Sequence, residues 1–106
     1  MNISEAHRRR FRAMQLVGCI ACRLDGRPGE PADVHHLLSG GRRIGHHATI
    51  PLCPWHHRGI ANEGARAAES MRGPSLARST RAFVERYGTE EELREIVDRM
   101  LEMIGV

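Results

Sequence analysis

The clearest hydrophobic pattern in the chain lies near its C-terminus. Between residues 90 and 104 the apolar side chains recur at the spacing of one helical face. They are Leu93, Ile96, Val97, Met100, Leu101 and Ile104. Just before them, Thr89 and Glu92 have the spacing of a capping box. The pattern predicts a helix over residues 90–104 whose apolar face packs into the core.

Two further helices are predicted mainly from their ends. One covers residues 4–16, with Ser4 as a candidate N-cap, and stops before Gly18. The other covers residues 79–87 and closes at Gly88, a residue type that commonly follows a helix C-terminus.

The central part of the chain predicts strands. Residues 32–37 and 48–52 are short segments typical of strands, and residues 39–43 between them predict a polar loop. Pro54 suits the first turn of a following helix. The alanine-rich segment 62–75 favours neither helix nor loop. The order of strand, loop, strand and helix, with helices on both sides, predicts a small α+β fold.

Composition limits the cellular setting. A chain of 106 residues forms one domain with a modest core, and this chain has only four aromatic residues. It contains no signal-peptide pattern and no apolar run that could span a membrane. Its three cysteines cannot pair evenly, which favours metal binding in a reducing compartment. We therefore expect an intracellular, cytoplasmic protein with no membrane partner.

Charge is distributed unevenly along the chain. Residues 1–58 hold nine arginines and four acidic residues, a net charge of +5, whereas residues 59–106 hold seven arginines and nine acidic residues, a net charge of −2. The absence of lysine is explained equally well by genome composition, so only the position of the charge is informative. A basic half suits nucleic acid. The best candidates for phosphate contacts are Arg8, Arg9, Arg10, Arg42 and Arg43.

Two pairs of metal-binding residue types share one spacing. Cys19 and Cys22 form the first pair, and Cys53 and His56 form the second. Four such ligands on two tight turns are typical of a tetrahedral structural zinc site. His57 cannot easily bind the same ion, because adjacent helical residues point in different directions. The alternative is three buried free cysteines without a metal.

The chain has more histidines than a zinc site needs. His35 and His36 lie near the end of a predicted strand, so their side chains point to opposite faces. In a phosphodiester nuclease, one imidazole could bind a divalent metal while its neighbour deprotonates the attacking water, and His57 could add a second metal ligand. The alternative is a histidine pair that only packs or is solvated. His7, alone among arginines, is expected to be a surface residue.

These motifs together resemble a known nuclease family. Two strand-end histidines, a second strand, and Cys-x-x-His-His at a helix start, preceded by Cys-x-x-Cys, are similar to the HNH (ββα-metal) nuclease motif. The similarity is closer still to the phage recombination-enhancement (Ref) nucleases. It is carried by Cys19-Ile-Ala-Cys22, Val34-His-His-Leu37, Ile50-Pro-Leu-Cys53, His56-His57, Phe83-Val-Glu-Arg-Tyr-Gly88 and Ile96-Val-Asp-Arg99.

The resemblance implies roles for the matching residues. It implies His36 as general base, His35 and His57 as ligands of a catalytic Mg²⁺ or Mn²⁺, and a structural Zn²⁺ on the two ligand pairs. The fourth zinc ligand is usually cysteine in HNH nucleases and is histidine here. The middle Asn of the HNH name aligns near Ala48. His46 or His47 could replace it, and we prefer His46.

The resemblance also implies an architecture, a function and partners. It implies a basic N-terminal helix over residues 1–17, then an HNH domain over residues 18–106 with a zinc-stapled ββα core and C-terminal helices. Members are metal-dependent DNA endonucleases in phage or bacterial recombination or repair, and Ref-type members act on DNA held by RecA. The basic arm of that family is reduced here to about a dozen residues, which leaves RecA dependence open. The main alternative is a zinc-dependent nucleic-acid-binding module with a decayed catalytic site, and a toxin-like nuclease is a weaker one.

Overall fold

The computed structural model describes residues 4–106, in which six helices surround two small two-stranded sheets. The helices are α1 (Glu5–Val17), α2 (Ile20–Leu24), α3 (Pro54–Arg58), α4 (Ala65–Arg72), α5 (Thr80–Tyr87) and α6 (Glu90–Ile104). The strands are β1 (Asp33–His36), β2 (Leu38–Ser39), β3 (Arg42–Arg43) and β4 (Thr49–Leu52). The predicted α+β class is confirmed. Within residues 4–106, no helix combines the length and hydrophobicity needed to cross a membrane.

The helix starts follow from the predicted capping residues. The Ser4 hydroxyl accepts a hydrogen bond from the backbone N–H of His7 at 3.2 Å, which satisfies a free donor in the first turn of α1. Thr89 and Glu92 form a reciprocal capping box. As a result, α6 begins at Glu90, the position that the sequence predicts.

The apolar face of α6 packs into the core over most of its length. Leu93, Val97 and Leu101 are buried where α6 packs against α1 and β4. Ile104 is 51% exposed. The prediction that the whole face is core was therefore wrong at its last position, because Ile104 lies in the final turn where α6 ends at the surface.

Strands β1 and β4 pair antiparallel and bring the candidate site residues into register. His35 lies opposite Ile50, and His36 lies opposite Thr49. Every residue of β4 is buried, whereas every residue of β1 is half-buried. Helix α3 follows β4 after Cys53 alone. The central hairpin is thus anchored through β4, while β1 presents its histidines near the surface.

The middle of the chain contains more regular structure than the sequence predicts. The predicted loop at 39–43 is part of a second hairpin, in which Leu38 pairs with Arg43 and β2 and β3 run antiparallel. Gly40 and Gly41 form its turn with φ of +59° and +79°, which suits a two-residue hairpin. The loop prediction was wrong because this exposed ladder has no apolar alternation. The undecided segment 62–75 contains α4.

Arg10 ties α1 to the rest of the fold. Its guanidinium donates to the hydroxyl and the carbonyl oxygen of Thr49 at 2.9 and 2.7 Å, and to Asp98 at 2.8 Å. The Arg10 side chain is only 12% exposed. Because its donors face β4 and α6, the Arg10 guanidinium is engaged within the fold, unlike the exposed side chains of Arg8 and Arg9.

Candidate metal centre and histidine site

The four predicted zinc ligands meet in one buried cluster, which we call the cysteine cluster: Cys19, Cys22, Cys53 and His56. Cys19 is the N-cap of α2, and its sulfur accepts from the backbone N–H of Cys22 at 3.4 Å. Cys53 plays the same part for α3, accepting from the N–H of His56 at 3.5 Å. Each pair therefore places two ligands side by side at a helix start, where the helix dipole favours a thiolate.

The spacing of the ligand atoms fits tetrahedral zinc. The sulfurs of Cys22 and Cys53 lie 3.8 Å apart, and Nδ1 of His56 lies 3.2–3.5 Å from the three sulfurs. Zinc bonds of about 2.3 Å to sulfur and about 2.0–2.1 Å to nitrogen give tetrahedron edges of about 3.8 and 3.6 Å. The donor types and the distances both suit a structural zinc ion.

The ring orientation of His56 is fixed from outside the cysteine cluster. Its Nε2 lies 2.8 Å from the carbonyl oxygen of Arg72, which can only accept a hydrogen bond, so Nε2 carries the proton and Nδ1 faces the sulfurs. The Tyr87 hydroxyl lies beside this contact. It is 2.8 Å from the same carbonyl oxygen of Arg72 and 2.7 Å from the carboxylate of Asp25, both of which can accept its proton. This outer layer selects the nitrogen that is presented to a metal.

The titratable groups of the cysteine cluster shift one another's pKa, which is raised for Cys19 by hydrogen bonds with Cys22 and Cys53. Hydrogen bonds with Cys19 and Cys22 lower the pKa of Cys53. Burial acts to lower the pKa of His56, but hydrogen bonds with Cys22 and Cys53 outweigh it and raise the pKa to about 9. The cluster thus stabilises a thiolate on Cys53 beside a protonated His56, and zinc binding would release the proton of His56, because the metal binds deprotonated cysteine and neutral histidine.

A second group of side chains lies where β1 meets α3, and we call it the histidine site. The rings of His35 and His57 have centroids 5.1 Å apart. Nδ1 of His57 lies 3.0 Å from the carboxylate of Asp33, which also accepts from Nε of Arg58 at 3.0 Å. Nε2 of His35 contacts the carboxylate of Glu90. Each of the two predicted metal ligands is therefore held by one carboxylate.

His36 points away from that pair, as the strand alternation predicts. Its Nε2 lies 3.0 Å from Nδ1 of His46. Burial lowers the pKa of His36, and the nearby charges of Arg43 and His46 lower it further. Thr49 donates to the carbonyl oxygen of His46 at 2.8 Å, which fixes the turn that carries this second imidazole. His36 is consequently a neutral imidazole near neutral pH.

The adjacent residues His46 and His47 have different surroundings. His46 contacts His36, whereas His47 is exposed and its ring stacks on His7 with centroids 5.7 Å apart. His7 is half-buried against these two rings, so the expectation of a plain surface residue is only partly met. Of these two histidines, only His46 contacts His36.

The remaining predicted site residues lie at the surface. Arg8 and Arg9 are exposed on α1, and Arg42 and Arg43 are exposed on β3. Arg43 also lies close enough to affect the charge of His36. Within residues 4–106, the cysteine cluster is the one group of three or more ligands with all ligand atoms inside 4.8 Å. His35 and His57 with their carboxylates form a wider and more open site.

Comparison with known protein families gives one match that covers most of the chain. Residues 4–102, nearly its whole length, match the family described as recombination enhancement, RecA-dependent nuclease. The chain belongs to this RecA-dependent nuclease family. No curated protein matches the chain closely enough to add a named relative.

Two residues of this RecA-dependent nuclease family member were missed by the sequence analysis. Asp33 lies two positions before His35, on the same face of β1, so strand periodicity could have found it. Glu90 lies 55 positions after His35. No local pattern connects Glu90 with His35, and only the packing of α6 brings them together.

Proposed function

We propose that this chain is a metal-dependent DNA endonuclease of the HNH type, which acts in recombination on DNA associated with RecA. Family membership supports a nuclease. The observation that carries the finer proposal is that the adjacent residues His35 and His36 have different contacts. His35 lies beside His57 with a carboxylate behind each ring, whereas His36 is hydrogen-bonded to His46 on the opposite side of β1.

The HNH assignment is supported by the order of elements around these side chains. An antiparallel pair, β1 and β4, leads directly into the short helix α3. His35 and His36 lie at the end of the first strand, and His57 lies in the helix. One small strand–strand–helix unit thereby presents two adjacent histidines together with a third that lies 21 positions after His36.

His36 is the proposed general base. In the productive tautomer its Nε2–H donates to Nδ1 of His46, which leaves the Nδ1 lone pair of His36 free to accept a proton from water. The imidazolium that forms is stabilised by His46, as an orienting partner stabilises a catalytic histidine in other hydrolases. The lowered pKa of His36 keeps the base unprotonated before reaction.

His35 and His57 are the proposed ligands of the catalytic metal. Imidazole nitrogens suit Mn²⁺, and a Mg²⁺ site with few protein ligands commonly keeps several waters. Bound Mg²⁺ or Mn²⁺ would supply charge stabilisation for the scissile phosphate and its leaving oxygen. Asp33 accepts from Nδ1–H of His57, which leaves Nε2 of His57 as the nitrogen for the metal.

The cysteine cluster is the proposed structural zinc site. Its four residues are buried and offer no open position to substrate. Its proposed task is to fix α2 and α3, and through α3 to place His57 opposite His35. In this proposal the metal of the cysteine cluster supports folding, and the metal at the histidine site takes part in DNA cleavage.

The proposed DNA surface uses the exposed arginines of α1 and β3: Arg8, Arg9, Arg42 and Arg43. Arginine forks suit phosphate oxygens. Arg43 extends this surface to the vicinity of His36. DNA bound there would place a phosphate next to the proposed base.

One specific observation favours a second candidate, a zinc-dependent nucleic-acid-binding module without activity. Ala48, near the position of the HNH asparagine, is fully buried and has no polar side chain with which to orient a base. The contact between His46 and His36 favours the enzyme over this alternative.

A plasmid-nicking assay separates the two candidates. Zinc-loaded protein is incubated with supercoiled DNA and Mg²⁺ or Mn²⁺, with and without a RecA filament paired to the plasmid, and with EDTA as the control. We expect cleavage that requires the divalent metal and increases with RecA. Tight binding without cleavage under all of these conditions would favour the binding module.

A further inference from the structure

We propose that Glu90 is a positioning residue for the metal ligand His35, so that the start of the C-terminal helix α6 belongs to the nuclease centre. The inference rests on the proposed metal-dependent nuclease function. Glu90 would hold the Nε2–H of His35 and leave Nδ1 as the nitrogen that binds the divalent metal.

The first support is the contact itself. Nε2 of His35 and the carboxylate of Glu90 are hydrogen-bonded in a partly buried setting, with side chains 17% and 38% exposed. Metal-binding histidines commonly donate their other ring N–H to a carboxylate, which fixes the tautomer and makes the ligand more basic. A carboxylate on one nitrogen therefore determines which nitrogen remains for the metal.

The second support is the matching arrangement at His57. Asp33 contacts Nδ1 of His57 at 3.0 Å, just as Glu90 contacts Nε2 of His35. The two rings lie edge to face between these carboxylates, with centroids 5.1 Å apart. Two oriented imidazoles with one carboxylate behind each are more than surface packing requires.

The third support is that the backbone position of Glu90 is well defined. The capping box of Thr89 and Glu92 fixes the residue at which α6 begins. Three and seven positions after Glu90, the buried side chains of Leu93 and Val97 anchor the helix in the core. A carboxylate in the first turn of a packed helix can hold an imidazole in one orientation.

The neighbouring acidic residues have different contacts. Glu91 is 59% exposed and pairs with Arg94 at 3.5 Å, and Glu92 accepts from the backbone N–H of Thr89 at 2.9 Å. All three lie in the first turn of α6 and interact favourably with the helix dipole. Only Glu90 contacts His35, so Glu91 provides a matched control for the effect of the helix dipole.

The test compares Mn²⁺ binding by zinc-loaded wild type, Glu90→Ala, Glu90→Gln and Glu91→Ala, measured by electron paramagnetic resonance of free Mn²⁺. We expect Glu90→Ala to weaken binding about 10–100-fold, the usual effect of losing an outer-shell partner. Glu90→Gln should weaken it less, since the amide oxygen can still accept from Nε2–H. Glu91→Ala should bind like wild type, and all variants should keep their zinc and melting temperature.

Ring-nitrogen NMR of His35 adds a readout that does not depend on activity. In wild type we expect the tautomer with the proton on Nε2, and in Glu90→Ala a mixture of both tautomers. Equal Mn²⁺ binding by wild type and Glu90→Ala would overturn the role of Glu90 and leave the proposed nuclease standing. A wild type that neither binds Mn²⁺ nor cuts DNA would instead overturn the proposed function, and this inference with it.

Discussion

The cysteine cluster and the histidine site both gather metal-binding residue types but differ in their exposure to solvent. All four members of the cysteine cluster are buried, with side chains that face one another. In the histidine site, His35 and His57 keep 17% and 24% of their side chains exposed and contact carboxylates instead. A closed ligand set suits a structural metal, whereas an open one leaves room for water and phosphate.

The two regions also differ in how the chain positions them. The cysteine cluster uses two local turns in which a sulfur caps the helix that carries the next ligand. The histidine site depends on tertiary contacts, from Asp33 to His57 and from Glu90 to His35. We infer that the first region supports folding and that the second can be altered without unfolding the protein.

Removing a ligand from the cysteine cluster should have the largest effect. Structural zinc contributes about 10–16 kcal/mol in small zinc domains, which matches or exceeds the whole stability of about 5–15 kcal/mol expected of a domain. Cys22→Ser or Cys53→Ser should therefore give unfolded or aggregated protein without zinc. Zinc analysis and thermal melting check this, with His47→Ala as the control. A zinc-free preparation that melts like wild type would contradict the structural role.

Removing a proposed metal ligand from the histidine site should abolish cleavage but preserve the fold. His57→Ala should keep its zinc and its melting temperature, because His57 lies outside the cysteine cluster, while DNA cleavage is lost at ordinary Mg²⁺ concentration. Excess Mn²⁺ should restore part of the activity by mass action. If His57→Ala lost zinc as readily as Cys53→Ser, the division between the two regions would be wrong.

Removing the charge of β3 near His36 should have the smallest effect. Each phosphate contact contributes about 0.9 to the slope of log affinity against log salt. Replacing Arg42 and Arg43 by alanine should flatten this slope by about one to two units. The control replaces Arg81 and Arg99, which are 93% and 75% exposed on the opposite, acidic half of the sequence. Equal slopes for both double variants would exclude β3 from the DNA surface.

The cysteine cluster could be predicted from the sequence because its geometry is local. A two-residue gap between ligands already specifies a tight turn, and the two turns then need only meet. The same reasoning holds for α6, whose start at Glu90 and buried face follow from a capping box and a helical repeat. Local rules were sufficient for both features.

The surroundings of the histidine site could be predicted only in part. Strand alternation separated His35 from His36, but the carboxylate of Glu90 arrives from another element and leaves no local signal. The tertiary contacts of Arg10 are likewise invisible in the local sequence. Its basic neighbours suggested a DNA contact, yet tertiary packing commits its guanidinium to Thr49 and Asp98.

The most direct test of the proposed mechanism is the cleavage rate of His36→Ala beside that of His47→Ala, at equal zinc content. His36 contacts His46 and is the proposed base, whereas His47 is exposed and lies outside that contact. We predict that His36→Ala cuts DNA about 10²–10⁴-fold more slowly, the usual contribution of a positioned base, with DNA affinity and melting temperature nearly unchanged. His47→Ala should cut like wild type. Full activity of His36→Ala, where the wild type cuts, would contradict the assignment of the base.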